Sequence, residues 1–190
     1  MFWMITALAA MGAAGVSLCA TMSRLGGDVE KAFRQGPALA EAAFAEGAYG
    51  RIVGVASASG TLPTVPGLDL PCLIYERVVY EVASDRQSAG GWKIAQREIV
   101  GGDVDVTVGD TVVRFDARDL YIYTAPSHDG HEGMRTTRVR YVPPGATVQV
   151  LGTLTREVDD DPNASRDYRS VATRYRLIGK RKQPIVLAVA

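Results

Sequence analysis

Histidine and cysteine are scarce, with two of each in 190 residues. Two cysteines make neither a disulfide scaffold nor a zinc ribbon, and the eight ligands of a RING finger cannot be drawn from so few residues. The histidines, His128 and His131, both fall in one short segment, so a Ser-His-acid or Cys-His nucleophilic site is not expected. Neither sign of charge dominates. The 21 Lys+Arg against 21 Asp+Glu exclude a broadly basic nucleic-acid binder. Phosphate-loop, dinucleotide, nucleophile-elbow and zinc-protease motifs are absent. The expectation is therefore no catalytic residue, no cofactor and no nucleic-acid partner. At 47% hydrophobic and 22% charged residues, the chain has what it needs to bury a core.

Charged side chains are missing altogether from residues 1–23. Met1 to Met22 reads MFWMITALAAMGAAGVSLCATM, with Thr6, Ser17 and Thr21 its polar residues. As a helix this stretch is about 33 Å long at 1.5 Å per residue, enough for one pass through a hydrocarbon core about 30 Å thick. A cleaved signal peptide wants a basic leader, and no basic side chain precedes the run. Leu18 before Cys19 spoils a lipidation box. A retained transmembrane anchor over residues 1–23 is expected, with the lipid bilayer as its partner. Arg24, Lys31 and Arg34 follow the span, which puts the carboxyl-terminal body in the cytoplasm by the positive-inside rule. Cys19 lies in the span and leaves Cys72 without a soluble partner, in keeping with a reducing compartment.

Residues 24–48 read as a helical connector. Asp28 to Gln35 is polar and compatible with a helix, and Pro37 opens a second helical stretch, Ala38 to Glu46, that Gly47 stops. From residue 49 the pattern turns to period two. The strands expected are Arg51–Ser57, Cys72–Ala83, Trp92–Val100, Asp103–Thr107, Thr111–Asp116, Arg138–Val142, Thr147–Leu154, Ser170–Ile178 and Ile185–Val189. Arg138 and Arg140 are expected to point outward, and Val148, Val150, Gly152 and Leu154 to share a face. Many short strands with turns between them predict a mainly β body over 49–190, a small OB-like barrel or a β-sandwich.

Three segments carry a family resemblance. They are Gly54-Val55-Ala56 with Leu62 and Pro66, Leu70-Pro71-Cys72-Leu73-Ile74-Tyr75-Glu76, and Val142-Pro143-Pro144-Gly145 running to Leu151-Gly152-Thr153-Leu154. In order and spacing this resembles the GIDE-type, or beside-a-membrane, domain of membrane-anchored ubiquitin ligases and many prokaryotic membrane proteins. The resemblance implies a β-rich domain held next to a bilayer by a transmembrane helix, with a partner-binding role. Among its motif residues, Pro71, Cys72, Tyr75, Pro144, Gly145 and Gly152 are expected to be structural. Ligase chemistry does not carry over without ligands for a RING finger.

Three further clusters are weighed. His128-Asp129-Gly130-His131-Glu132 is a weak metal candidate through His128 and His131, and is expected to be a mobile hairpin loop. Asp159-Asp160-Asp161 reads as a solvated loop. Arg174, Arg176, Lys180, Arg181 and Lys182 belong to a basic stretch, read as a solvated face or as a contact for anionic lipid headgroups. The expected function is a membrane-anchored, non-enzymatic binding or adaptor module with an unknown protein partner. A component of a ubiquitin-ligase-like system and an envelope-facing sensor or headgroup-binding domain stand as alternatives.

Overall fold

The computed structural model describes residues 28–58, 60–82, 92–158, 173–180 and 183–190. The anchor expected over 1–23, the acidic loop at 159–161, Arg181 and Lys182 lie outside the described residues. Among the described residues, no helix is long and apolar enough to cross a membrane.

The period-two pattern becomes eleven strands among the described residues. They are β1 (Tyr49–Ser57), β2 (Ile74–Val82), β3 (Trp92–Gly101), β4 (Asp103–Val108), β5 (Thr111–Asp116), β6 (Leu120–Thr124), β7 (Ser127–Glu132), β8 (Arg135–Val142), β9 (Thr147–Val158), β10 (Thr173–Ile178) and β11 (Ile185–Val189). Five close into a barrel in the order β1-β4-β5-β10-β9, because β1 also pairs with β9. All its pairings are antiparallel except β5 with β10. The interior is a buried apolar cluster that includes Ile52, Val104, Val106, Val113, Phe115, Val148, Val150, Leu154 and Leu177. These are the alternate positions of the barrel strands, so strand periodicity and core are one fact. Closure leaves few unpaired edges.

β9 holds the assembly together. One edge pairs with β1 from Thr147 to Thr153; the other pairs with β11 over Val148–Leu151 and then with β10 over Thr153–Val158. Gly152 sits where β9 changes partner, and a Cβ there would meet Leu177 Cδ2 at 3.0 Å. At Gly54 the strands cross more closely: a Cβ would lie 2.7 Å from Val106 Cγ1 and 2.9 Å from the Thr107 carbonyl carbon. A side chain there would collide with β4, next to Val55, the residue at which β1 pairs with β9 on one edge and with β4 on the other.

Two insertions between barrel strands build a second sheet. Strands β2 and β3 come from the β1–β4 connection, and β7 and β8 from the β5–β9 connection. They pair in the order β3-β2-β8-β7. Ile74 lies opposite both Gly101 and Val142, and Ile74 and Val142 join the barrel core, so this end of the sheet is rooted in the barrel. β6 runs parallel to β11 and ends the larger sheet.

Residues 28–35 form the expected helix, α1. Val29 and Phe33 are buried with Leu151, Val186 and Ala188, on the outer face of β9 and β11. Phe33 packs 5.3 Å from the ring of Tyr123, and the Arg51 guanidinium lies 5.5 Å over Phe33. The second expected helix does not form. Arg51 donates its backbone N–H to Pro37 O at 2.7 Å and Leu39 donates to Arg51 O at 2.8 Å, so the chain there is drawn out along β1. Only one turn of 3-10 helix remains, Glu41–Ala43. Helix propensity in the Ala-rich stretch loses to tertiary pairing.

Candidate functional site

Two buried side chains among the described residues depart from the apolar code of the sheets, Thr153 on β9 and Glu76 on β2, and Glu76 is the charged one. β2 alternates Ile74, Glu76 and Val78 on one face, and Glu76 is 1% exposed. A carboxylate buried this far needs partners. Register supplies the first: Glu76 lies directly opposite Arg140 on β8. Arg97 on β3 supplies the second, its Nε donating to Glu76 Oε1 at 2.6 Å. Arg140 Nη2 stands 2.7 Å from Oε2, ion-paired but off the hydrogen-bond axis, so Oε2 has no directed hydrogen bond. The buried Arg140 Nε has none either.

The two guanidiniums also reach the barrel side. Arg140 Nη1 donates to Ile122 O at 2.7 Å, and Arg97 Nη2 to Leu120 O at 3.4 Å. Both carbonyls belong to β6, the last strand of the larger sheet. Glu76 thus holds two arginines that join one sheet to the other and cover part of an open strand edge. Beside this joint is a crevice of about 180 Å³. Tyr80 and Tyr121 stand on its sides, with Val78 and Ile94 as apolar lining, and Arg97 lies 5.8 Å over the Tyr121 ring. Arg140, expected to point outward, faces this inter-sheet space, because the four-stranded sheet is covered by β6 there.

The motif residues lie elsewhere, away from this joint. Pro144-Gly145 makes the turn between β8 and β9: Gly145 has φ +75°, and Ala146 donates to Pro143 O at 3.3 Å. Pro at the second and Gly at the third position are the residues a type II turn requires. Pro71 bridges to Thr64, and the next residue, Cys72, donates its N–H to Pro63 O at 2.9 Å. Cys72 is fully buried with Val65 and Val139, and Tyr75 packs partly against this cluster.

Burial pushes the Cys72 thiol up to about 11. The folded state therefore favours the thiol over the thiolate. The resulting stability is present below the ordinary cysteine range and is lost as pH rises through it toward 11. Native protein is expected to leave Cys72 unreacted with a maleimide at pH 8, with rapid modification once denaturant is added. Reaction at the same rate in both conditions would contradict its burial.

The segment Ser127–Glu132 is a strand, not the expected mobile loop. Its backbone pairs with β8 along its length, although all six residues are exposed. His128 and His131 are three positions apart, so a strand sends them to opposite faces. His131 Nδ1 lies 3.1 Å from Thr136 Oγ1. Asp129 pairs with Arg138 at 2.9 Å, and that hydrogen bond holds its carboxyl below the usual range. No cluster of metal-ligating side chains occurs among the described residues.

Arg174 and Arg176 lie on the outer face of β10, among acids. Arg174 Nε meets Glu157 Oε1 at 2.6 Å, and Arg176 reaches Glu157 at 3.1 Å and Asp103 at 3.4 Å. Burial raises the Glu157 carboxyl, but the hydrogen bonds from Arg174 and Arg176 outweigh it and leave the group below its ordinary value. Arg114 beside them is paired with Asp105 at 2.6 Å. The charges of Arg174 and Arg176 are thus met by acids from β4 and β9. Lys180 is exposed beyond the end of β10.

The molecule belongs to the small closed β-barrels, with an accessory sheet joined to it by two arginines held on a buried carboxylate. No protein-family model, curated protein or solved structure matches the chain.

Proposed function

We propose that this chain is a membrane-anchored, non-enzymatic binding or adaptor module whose OB-like barrel works beside the bilayer on the cytoplasmic side. The observation that carries the reading is the docking of α1. Residues 1–23 have the length and apolarity of an anchor, and residue 28 already begins a helix packed on the barrel through Val29 and Phe33. Five residue steps at about 3.5 Å each leave the body no more than ~18 Å of free tether. Anchoring on so short a leash raises the effective concentration of the body toward anything else in the same membrane.

The OB-like assignment is supported by connectivity. Counted along the chain, the first barrel strand pairs with both the second and the fourth, and the third and fifth run parallel. Such barrels bind ligands with their faces and connecting loops. The GIDE-type resemblance agrees with this reading and rests on its quoted motifs.

The test is fractionation of the full chain. It is expected to sediment with membranes, to resist alkaline carbonate, and to become soluble when residues 1–23 are deleted. A reporter fused after Ala190 is expected to read out on the cytoplasmic side. A full-length product found in the soluble fraction, or a mature product lacking its first twenty or so residues, would overturn the proposal.

A further inference from the structure

The crevice between the accessory sheet and β6 holds more positive charge than it neutralises. Its lining carries the guanidiniums of Arg97 and Arg140 against the single carboxylate of Glu76, an excess of one positive charge. We infer that it is a binding site for a carboxylate borne on a short apolar stem. Arg97 would read the carboxylate. Its Nε is taken by Glu76 and its Nη2 by a long bond to Leu120 O, while Nη1 has no partner among the described residues. The side chain is 26% exposed and lines the crevice. A guanidinium edge matches the two oxygens of a carboxylate. Glu76 is the adverse group, but its oxygens are buried behind the arginines and its charge is already offset before any anion arrives.

The rest of the lining selects the stem. Tyr80 and Tyr121 offer hydroxyls that make no hydrogen bond with other described residues, and Val78 and Ile94 offer apolar surface. A crevice of about 180 Å³ has room for a carboxylate and a few carbons. A phosphate dianion would carry more charge than the crevice offers and would leave the apolar lining unused. Two sources share the chemistry: a free short-chain acid, and the carboxyl terminus of a polypeptide.

The site lies wholly in the body, so its test is separate from that of the anchor. Full-length protein in detergent would be titrated by calorimetry with butyrate, butyramide, inorganic phosphate, and a short peptide ending in Ala-Val with its carboxyl free or amidated. Saturable binding of butyrate or of the free-carboxyl peptide is expected, at least tenfold weaker for the matching amide and for phosphate. If the peptide binds and butyrate does not, the ligand is a polypeptide terminus; the reverse result assigns a small acid. R97Q is expected to weaken binding at least tenfold. Because Arg97 also belongs to the joint, I94W provides a second variant that fills the crevice without touching the triad, and it should abolish binding in a protein with an unchanged circular dichroism spectrum. Failure of both carboxylates to bind, phosphate binding as tightly as butyrate, or full affinity in folded I94W would overturn the inference.

Discussion

Replacing Glu76 with Ala is expected to cost about 3 kcal/mol of folding free energy, near the lower end of what breaking a buried ion pair costs. The reason is what stays behind. Arg97 and Arg140 would face each other across the inter-sheet space with no anion between them, still drawn to Leu120 O and Ile122 O. The cost sits near the lower end because their side chains keep 26% and 21% exposure and can turn partly to water. Glu76→Gln preserves the shape and one acceptor, and should cost about half as much, in the range of a hydrogen bond to a charged group. Removing the whole triad is often neutral in other proteins. Here it should not restore stability, because two β6 carbonyls would lose their donors. Urea denaturation of the three variants measures this directly. A loss below about 1 kcal/mol for Glu76→Ala would mean that the joint bears little of the stability.

The second large effect is expected at Gly54. A methyl group there would press on the Thr107 backbone and on Val106 Cγ1, and backbone cannot swing away as a side chain can. β1 meets β4 through only Val55, Ala56 and Ser57, so the methyl group acts on the short seam that closes the ring. Gly54→Ala should cost about 3 kcal/mol, at the upper end for overpacking, and Gly54→Val more. Gly145→Ala is the control. Its φ is +75° but nothing lies within 4 Å of the added carbon, so about 1–2 kcal/mol of backbone strain is the whole effect. Thermal melts of the pair separate steric from conformational cost. Equal losses would show that the β1–β4 crossing relaxes freely.

The strands of the barrel were largely legible in the sequence, and the joint was not. Thr111–Asp116 and Ile185–Val189 agree to the residue, because alternation there is bounded by Gly-Asp and by Pro. β6 and β7 escaped notice for different reasons. Leu120–Thr124 is short and follows β5 after a single 3-10 turn. Ser127–Glu132 has no apolar side at all; only its pairing with β8 makes it a strand. Glu76 did leave a signal, a carboxylate at an inward position between Ile74 and Val78. What it pairs with depends on register between segments far apart in the chain, and composition does not encode that. Arg140 was misread for the same reason: alternation assigns it a side, but not what covers that side.

The position of β9 has a consequence for biosynthesis. The first barrel strand finds its partner roughly a hundred residues later in the chain, where Tyr49 meets Thr153. Until that stretch has left the ribosome, β1 can pair with nothing in its own barrel but β4, and the outer groove that receives Val29 and Phe33 has no floor. During that interval of several seconds of translation the nascent chain is an unfinished half-barrel with its apolar interior and strand edges uncovered, the state in which a β-barrel of this connectivity is most exposed to wrong association.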